Sequence, residues 1–354
     1  MPMLNDIIAK DNLTLIESMS LLNKTARKIL FVVSEDQQFL GSLSDGDIRR
    51  WILNGGALDA KIHEVAFRNT YILKKPFALS KIKTDMEQRH IEYVPVLDAS
   101  NKIIDVLVYE QLFNENFKRS GQTQIDIPIV VMAGGKGTRL DPFTKILPKP
   151  LLPIGDKTTL EVILERFLPF GVDHFLLSVN YKSQIIKSYF NELVPNYKIS
   201  YLEEDKPLGT AGALSQLNGK YNKSILVTNC DIIIDTDYAE ILNHHTTQKN
   251  AITIVASLKK YEIPYGVCEI DNSGDLSSLR EKPELNYLVN TGMYILSQKA
   301  IKMIPPNCFY NMTDLVERVQ LSGERVGVFP ISDESWADTG EWHEYKKALE
   351  WVPR

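Results

Sequence analysis

The run Val131-Met-Ala-Gly-Gly-Lys-Gly-Thr-Arg-Leu140, followed by Leu147-Pro-Lys-Pro-Leu-Leu-Pro-Ile-Gly155, constrains this chain more than any other segment. An apolar, β-branched stretch runs into glycines at 134, 135 and 137, so a buried strand must end in a tight turn. Turn amides without Cβ atoms beside them approach an anion closely. Lys136, Arg139 and Lys149 add cations there, which suits a triphosphate better than a single phosphate. Neither commoner glycine loop fits. A Walker loop needs Ser or Thr where Gly137 stands, and the dinucleotide fingerprint needs a small residue at Leu140.

Gly134-Gly-x-Gly-Thr-Arg-Leu140 with Lys149-Pro150 resembles the signature of sugar-1-phosphate nucleotidyltransferases, and the likeness covers residues 127 to 354. The resemblance implies a Rossmann-like, mixed but mainly parallel α/β sheet of the GT-A-like kind. It also implies an enzyme that joins a nucleoside triphosphate to a sugar 1-phosphate with Mg²⁺ and releases pyrophosphate. Ala133, Gly134, Gly135, Gly137 and Thr138 then cradle the nucleotide, and Arg139 and Lys149 are the catalytic cations.

The residues support that order independently. Strand patterns at Ile129–Met132, His174–Val179, Lys198–Leu202 and Ile225–Thr228 alternate with helical spacing, as in a parallel sheet. Thr158-Thr-Leu-Glu161 reads as a capping box, and Gly171 is expected to stop the helix that follows. Ligands of such sheets lie beyond the carboxyl ends of the strands, where Gly134, Glu203, Glu204 and Asp231 fall. Asp231 suits Mg²⁺, which takes one or two carboxylates and completes its shell with phosphate oxygens. Asp338, in a late Asp-x-Gly motif, is the second candidate; either aspartate can equally cap a helix.

Glu203-Glu-Asp-Lys-Pro-Leu-Gly-Thr-Ala-Gly212 reads as a base-binding loop in which Gly209 and Thr210 admit the nucleotide. A carboxylate only accepts hydrogen bonds, so Glu204 matches the donors of guanine; a solvated charged turn is the rival reading. By resemblance, Gly266, Glu281, Lys282, Asn290 and Thr291 serve the sugar phosphate. Uridylyl or thymidylyl transfer, mannose or heptose 1-phosphate as acceptor, and a non-catalytic nucleotide-binding subunit stay open.

Residues 1–120 follow another pattern, with two passes of helix and strand at about 1–60 and 61–120. They resemble tandem cystathionine-β-synthase (CBS) domains through Gly41-Ser-Leu-Ser-Asp-Gly-Asp47, which makes Ser44 and Asp47 candidates for a regulatory nucleotide. In the second pass Asp105, Val108 and Glu110 replace that motif's glycine, hydroxyl and aspartate. Ser44 and Asp47 also form a capping pair, and cap alone and cap plus ligand both stay open. The polar stretch 118–124 marks a linker, set at 121–126. The combination of modules is similar to glucosamine-1-phosphate guanylyltransferases of legionaminic-acid biosynthesis, and CBS pairs imply a homo-oligomer.

A formal net charge of −5 gives no footprint for nucleic acid or an anionic membrane. No apolar run is long enough to span a bilayer, and Met1-Pro-Met-Leu-Asn-Asp6 lacks the basic and apolar parts of a secretory signal. Cys230, Cys268 and Cys308 lack Cys-x-x-Cys partners and are expected to be reduced and mostly buried in a cytoplasmic protein. His244-His245 is expected on a helix surface.

Overall fold

The computed structural model describes residues 6–24, 29–75, 77, 79–89, 91–113 and 124–351. Residues 121–123 of the expected linker, 121–126, lie outside them. The chain divides into two compact units, Met1–Gln122 and Thr123–Arg354.

The first unit contains the same motif twice. Ile8–Lys10 pairs parallel with Ile29–Val33, which pairs antiparallel with Phe39–Ser44. Leu73–Lys74 pairs parallel with Tyr93–Leu97, which pairs antiparallel with Ile103–Val108. Both antiparallel pairs slip register one residue before the middle strand ends, at Val32/Val33 and Val96/Leu97. Helix Asp45–Leu53 begins on a capping box: the Asp47 carboxylate accepts from Ser44 N at 2.8 Å and from its hydroxyl at 2.6 Å. Arg50 donates to the other Asp47 oxygen, so this carboxylate is engaged on both sides.

In the second unit a seven-stranded sheet runs Lys198–Glu203, His174–Val179, Ile129–Met132, Ile225–Asn229, Glu284–Leu296, Ile252–Glu262, Val326–Ser332. The first four strands are parallel to one another; Glu284–Leu296 is antiparallel to both its neighbours, and the last pair is again parallel. Val130, Val131, Leu177 and Ile225 are fully or almost fully buried, which is why the parallel strands read as continuous apolar runs. Helix Thr159–Glu165 packs below, and its capping box forms as expected: Thr158 Oγ1 accepts from Glu161 N while Glu161 accepts from Thr158 N at 2.8 Å. The helix stops at Glu165, before Gly171. Pro169 opens a separate 3-10 turn, Leu168–Phe170, and Gly171 closes it with φ +79°.

Two expectations are corrected here. Only Cys230 is buried; Cys268 lies exposed on the hairpin Val267–Ile270/Leu276–Arg280, and Cys308 is exposed in a loop. His245 is buried rather than on a surface, and its ring bonds Ser224 Oγ at 3.1 Å and Thr253 Oγ1 at 2.9 Å. Among the described residues no helix is long and apolar enough to cross a membrane.

Candidate active site

The site is assembled at the carboxyl ends of the parallel strands. Met132 is level with Ser178 on one side and with Asn229 on the other, so the segments after these strands emerge together. Ala133 continues the ladder by donating to Ser178 O at 2.8 Å, and the glycines follow. Gly137 has φ +68°; a Cβ there would stand 2.9 Å from Thr144 Cγ2 and 3.0 Å from Lys149 Cβ. The Thr144 hydroxyl closes this loop by donating to Gly137 O at 3.0 Å and Asp141 Oδ1 at 2.8 Å. Gly135 has no atom within 4 Å of its Cβ position, so its missing side chain leaves open space.

Lys149 opens the 3-10 turn Lys149–Leu151, between Pro148 and Pro150. Its ammonium pairs with Asp231, with side chains only 14% and 20% exposed. Asp231 lies beyond the strand, which ends at Asn229. It follows Cys230 and precedes Ile232–Ile234, which pairs antiparallel with Trp336–Asp338 in the register Ile232↔Asp338. Thr339 fastens this junction by donating to Asp231 O from its N–H at 2.7 Å and from its hydroxyl at 2.8 Å. A Cβ on Gly340 would lie 2.7 Å from Asp338 Oδ1, 2.9 Å from Asp231 Oδ2 and 3.0 Å from Lys149 Nζ. Three charged groups from distant parts of the chain therefore meet around one glycine.

Burial raises the Asp338 carboxyl above its ordinary value, and the Asp231 charge adds to this, while the Gly340 N–H and Lys149 oppose it. Two carboxylates crowded in this way share a demand for positive charge. The donors are hard oxygens, which fits a divalent cation such as Mg²⁺. Among the described residues no group of three or more His, Cys, Asp or Glu could hold a metal. Such a cation thus needs ligand oxygens to complete its shell. Burial pushes the thiol of Cys230, next to Asp231, up to about 12.

Arg139 stands apart from this cluster, 75% exposed and 3.5 Å from Glu341 Oε1 at the closest. Glu204 is held under the glycine loop. Its Oε1 accepts from the Ser178 hydroxyl at 2.5 Å, its Oε2 accepts from Leu208 N at 3.0 Å, and a Cβ on Gly134 would lie 2.9 Å from Oε1. Both oxygens are engaged inside the protein, tying the 205–210 turn to the strand His174–Val179. Asn180, overlooked in the sequence, assists by donating to Glu204 O at 2.6 Å; its place at a strand's carboxyl end was the available signal. Gly209 has φ +76° and lies where a Cβ would stand 2.7 Å from Tyr310 O, and Thr210 Oγ1 accepts from Met312 N at 2.8 Å.

The sugar-side residues fall into two groups. Gly266, Glu281 and Lys282 gather at the base of the exposed hairpin, where Lys282 N donates to Tyr265 O at 3.2 Å and Glu281 Oε2 lies 2.9 Å from a Cβ on Gly266. Asn290 and Thr291 sit inside a strand, at a bulge where Val255 pairs with Met293 and Ala256 with Asn290. Asn290 donates to Tyr294 Oη at 2.6 Å. Thr291 is 2% exposed and its hydroxyl donates to Val255 O at 2.8 Å, a bond that stitches the bulge.

Residues 129–353 match the nucleotidyl transferase family. The chain belongs to that family. Its similarity to a UTP–glucose-1-phosphate uridylyltransferase of Synechocystis sp. is 29% identity over 63% of this chain and 62% of that protein. A mannose-1-phosphate guanylyltransferase of Mycobacterium tuberculosis is 28% identical over 60% of this chain and 61% of its own length. A D-glycero-α-D-manno-heptose 1-phosphate guanylyltransferase of Campylobacter jejuni is 33% identical over 48% of this chain and 75% of its own. The chain thus spans about three fifths of the first two relatives. The crystal structure of HddC from Yersinia pseudotuberculosis superposes with a TM-score of 0.50 at 28% identity, covering 63% of this chain and 98% of that one. The matched region, residues 129–353, falls within the unit that holds the glycine loop and the Lys149–Asp231–Asp338 cluster.

Proposed function

We propose that this chain transfers GMP from GTP to a sugar 1-phosphate, with glucosamine 1-phosphate as the acceptor, in legionaminic-acid or surface-glycan biosynthesis. One observation carries the reaction class: Lys149, Asp231 and Asp338 converge around Gly340 beside a glycine loop of the family's pattern. A sugar-phosphate oxygen forms a bond to the α-phosphorus, the bond from that phosphorus to the bridging oxygen breaks, and pyrophosphate leaves. A phosphate monoester is largely dianionic at neutral pH, its second pKa being about 6. No side chain need remove a proton. The protein's task is to align two polyanions and offset their repulsion.

In this reading Arg139 and the amides of 133–138 hold the triphosphate and the leaving pyrophosphate, and Lys149 neutralises the α- or β-phosphate. Asp231 and Asp338 would hold Mg²⁺, which when bound supplies charge neutralisation to the phosphates. Gly209 and Thr210 line the base and ribose; Gly266, Glu281, Lys282, Asn290 and Thr291 border the sugar phosphate. Guanine as the base is supported by the guanylyltransferase names of two relatives. Uridylyl transfer is the second reading, favoured by the Synechocystis relative.

For the first unit the proposal is a tandem CBS module, supported by the repeated strand topology. A cavity of about 530 Å³ lined by Asp47, Arg50, Trp51 and Arg68 supports a regulatory nucleotide near Ser44 and Asp47. The intact protein is proposed to be a cytoplasmic homo-oligomer.

The test is pyrophosphate release from GTP, UTP, dTTP and ATP, each with glucosamine, mannose, heptose and glucose 1-phosphates, with and without EDTA. GTP with glucosamine 1-phosphate should turn over fastest, and EDTA should stop the reaction. No pyrophosphate from any pair would end the proposal.

A further inference from the structure

Between Arg139 and Lys149, residues 141–147 form a loop that has little apolar burial of its own. Ile146 is 76% exposed and Phe143 is 50% exposed, stacked on Trp342 at 5.1 Å between ring centroids. What ties this loop to the sheet is a side chain from another element. Lys182 lies just beyond the strand His174–Val179, and its Nζ donates to Thr144 O at 3.2 Å, Lys145 O at 2.6 Å and Ile146 O at 2.9 Å. An ammonium has three donors, and all are used. The carbonyls come from the end of the 3-10 turn Phe143–Lys145, where helical geometry leaves acceptors unsatisfied.

Two further features mark the position. Lys182 has φ +53° and ψ +32°, a left-handed conformation that residues with a Cβ adopt infrequently, and it starts helix Ser183–Leu193 without capping it. Its ammonium also rests over the Tyr181 ring, 5.2 Å from the centroid. The side chain is thus directed away from its own helix, toward the phosphate loop. Three carbonyl oxygens aimed at one point beside an anion site would repel the anion; an ammonium among them reverses that contribution.

We propose that Lys182 is a positioning residue for nucleotidyl transfer, fixing the spacing of Arg139 and Lys149 through the three carbonyls of residues 144–146. The inference rests on the proposed triphosphate site. It is tested on the full chain by calorimetric titration with magnesium and inorganic tripolyphosphate, a probe independent of base and sugar. Lys182→Met should weaken binding about tenfold, and Lys182→Arg, which keeps charge and several donors, should stay within about twofold of wild type.

Arg139→Ala should also weaken binding, and adding Lys182→Met to it should cost far less than tenfold, because the two act as one unit. Backbone amide exchange across 143–147 should speed up in Lys182→Met and not in Arg139→Ala. If Lys182→Met does not fold, Lys182→Gln, which keeps donors and loses the charge, is titrated in its place and should also bind more weakly. Wild-type affinity in whichever of these two variants is titrated, or fully multiplicative losses on adding it to Arg139→Ala, overturns the inference alone. A wild type that binds no tripolyphosphate overturns the triphosphate reading and the inference with it.

Discussion

Lys149 and Asp231, separated by 82 positions in sequence, form an ion pair in which neither side chain is more than 20% exposed. Removing one partner leaves the other charge without compensation, so neither substitution is a neutral change. Lys149→Met and Asp231→Asn should each lower turnover by about 10²- to 10³-fold, the scale of losing one electrostatic group from a transition-state site. The double variant should lose little more than either single one. Steady-state pyrophosphate release checks this. Losses that multiply would show that the two groups act independently.

Gly137 and Gly135 make opposite predictions from the same loop. At Gly137 an alanine meets both φ +68° and a contact of 2.9 Å with Thr144. Gly137→Ala should cost about 1–3 kcal/mol of stability, read from urea midpoints, and should displace Lys149. At Gly135 nothing lies within 4 Å. Gly135→Ala should fold as wild type, and any loss of triphosphate affinity then reports a ligand that occupies that space.

Much of this was legible in the sequence, for reasons that can be named. Ile129–Met132 and Ile225–Asn229 are buried on both faces, so their apolar runs identify them without help from neighbours. The antiparallel strand Glu284–Leu296 is less legible, because its outer half mixes Glu284, Asn286 and the exposed Tyr287. Its bulge depends on Gly292 at φ +87° and on the Thr291–Val255 bond, and neither has a periodic signature. Asp338 was recognisable as a motif, but its register opposite Ile232 depends on pairing between segments far apart in sequence. Lys182 gave no signal, since its role depends on which carbonyls the fold brings to it.

Glu204 tests the difference between reading a base and holding a loop. Both its oxygens accept bonds from within the protein, from Ser178 and Leu208. Glu204→Ala should therefore reduce kcat/KM for every triphosphate by a similar factor, about 10-fold or more, as the 205–210 turn loses its tie to the strand His174–Val179. The ratio between GTP and UTP should be retained. A selective loss with GTP would return Glu204 to the role of base reader.

His245 should make the second unit acid-sensitive. Burial lowers its pKa from the ordinary 6.5 to about 4, and neighbouring His244 adds to the effect. The ring bonds Ser224 and Thr253, while Asn250 donates to the same Thr253 hydroxyl at 3.0 Å. Because the folded-state pKa is depressed, the unfolded chain binds the proton first. Stability is then fully present above about pH 6.5 and falls as pH drops toward 4, by roughly 3 kcal/mol at most. Carboxylates shared by wild type and variant titrate in the same range, so the difference between the two proteins isolates the histidine. Urea midpoints of wild type and His245→Gln at pH 7.5, 6, 5 and 4.5 should converge as pH falls, with wild type the more stable at pH 7.5. Parallel midpoints would mean that folding leaves the imidazole pKa unchanged.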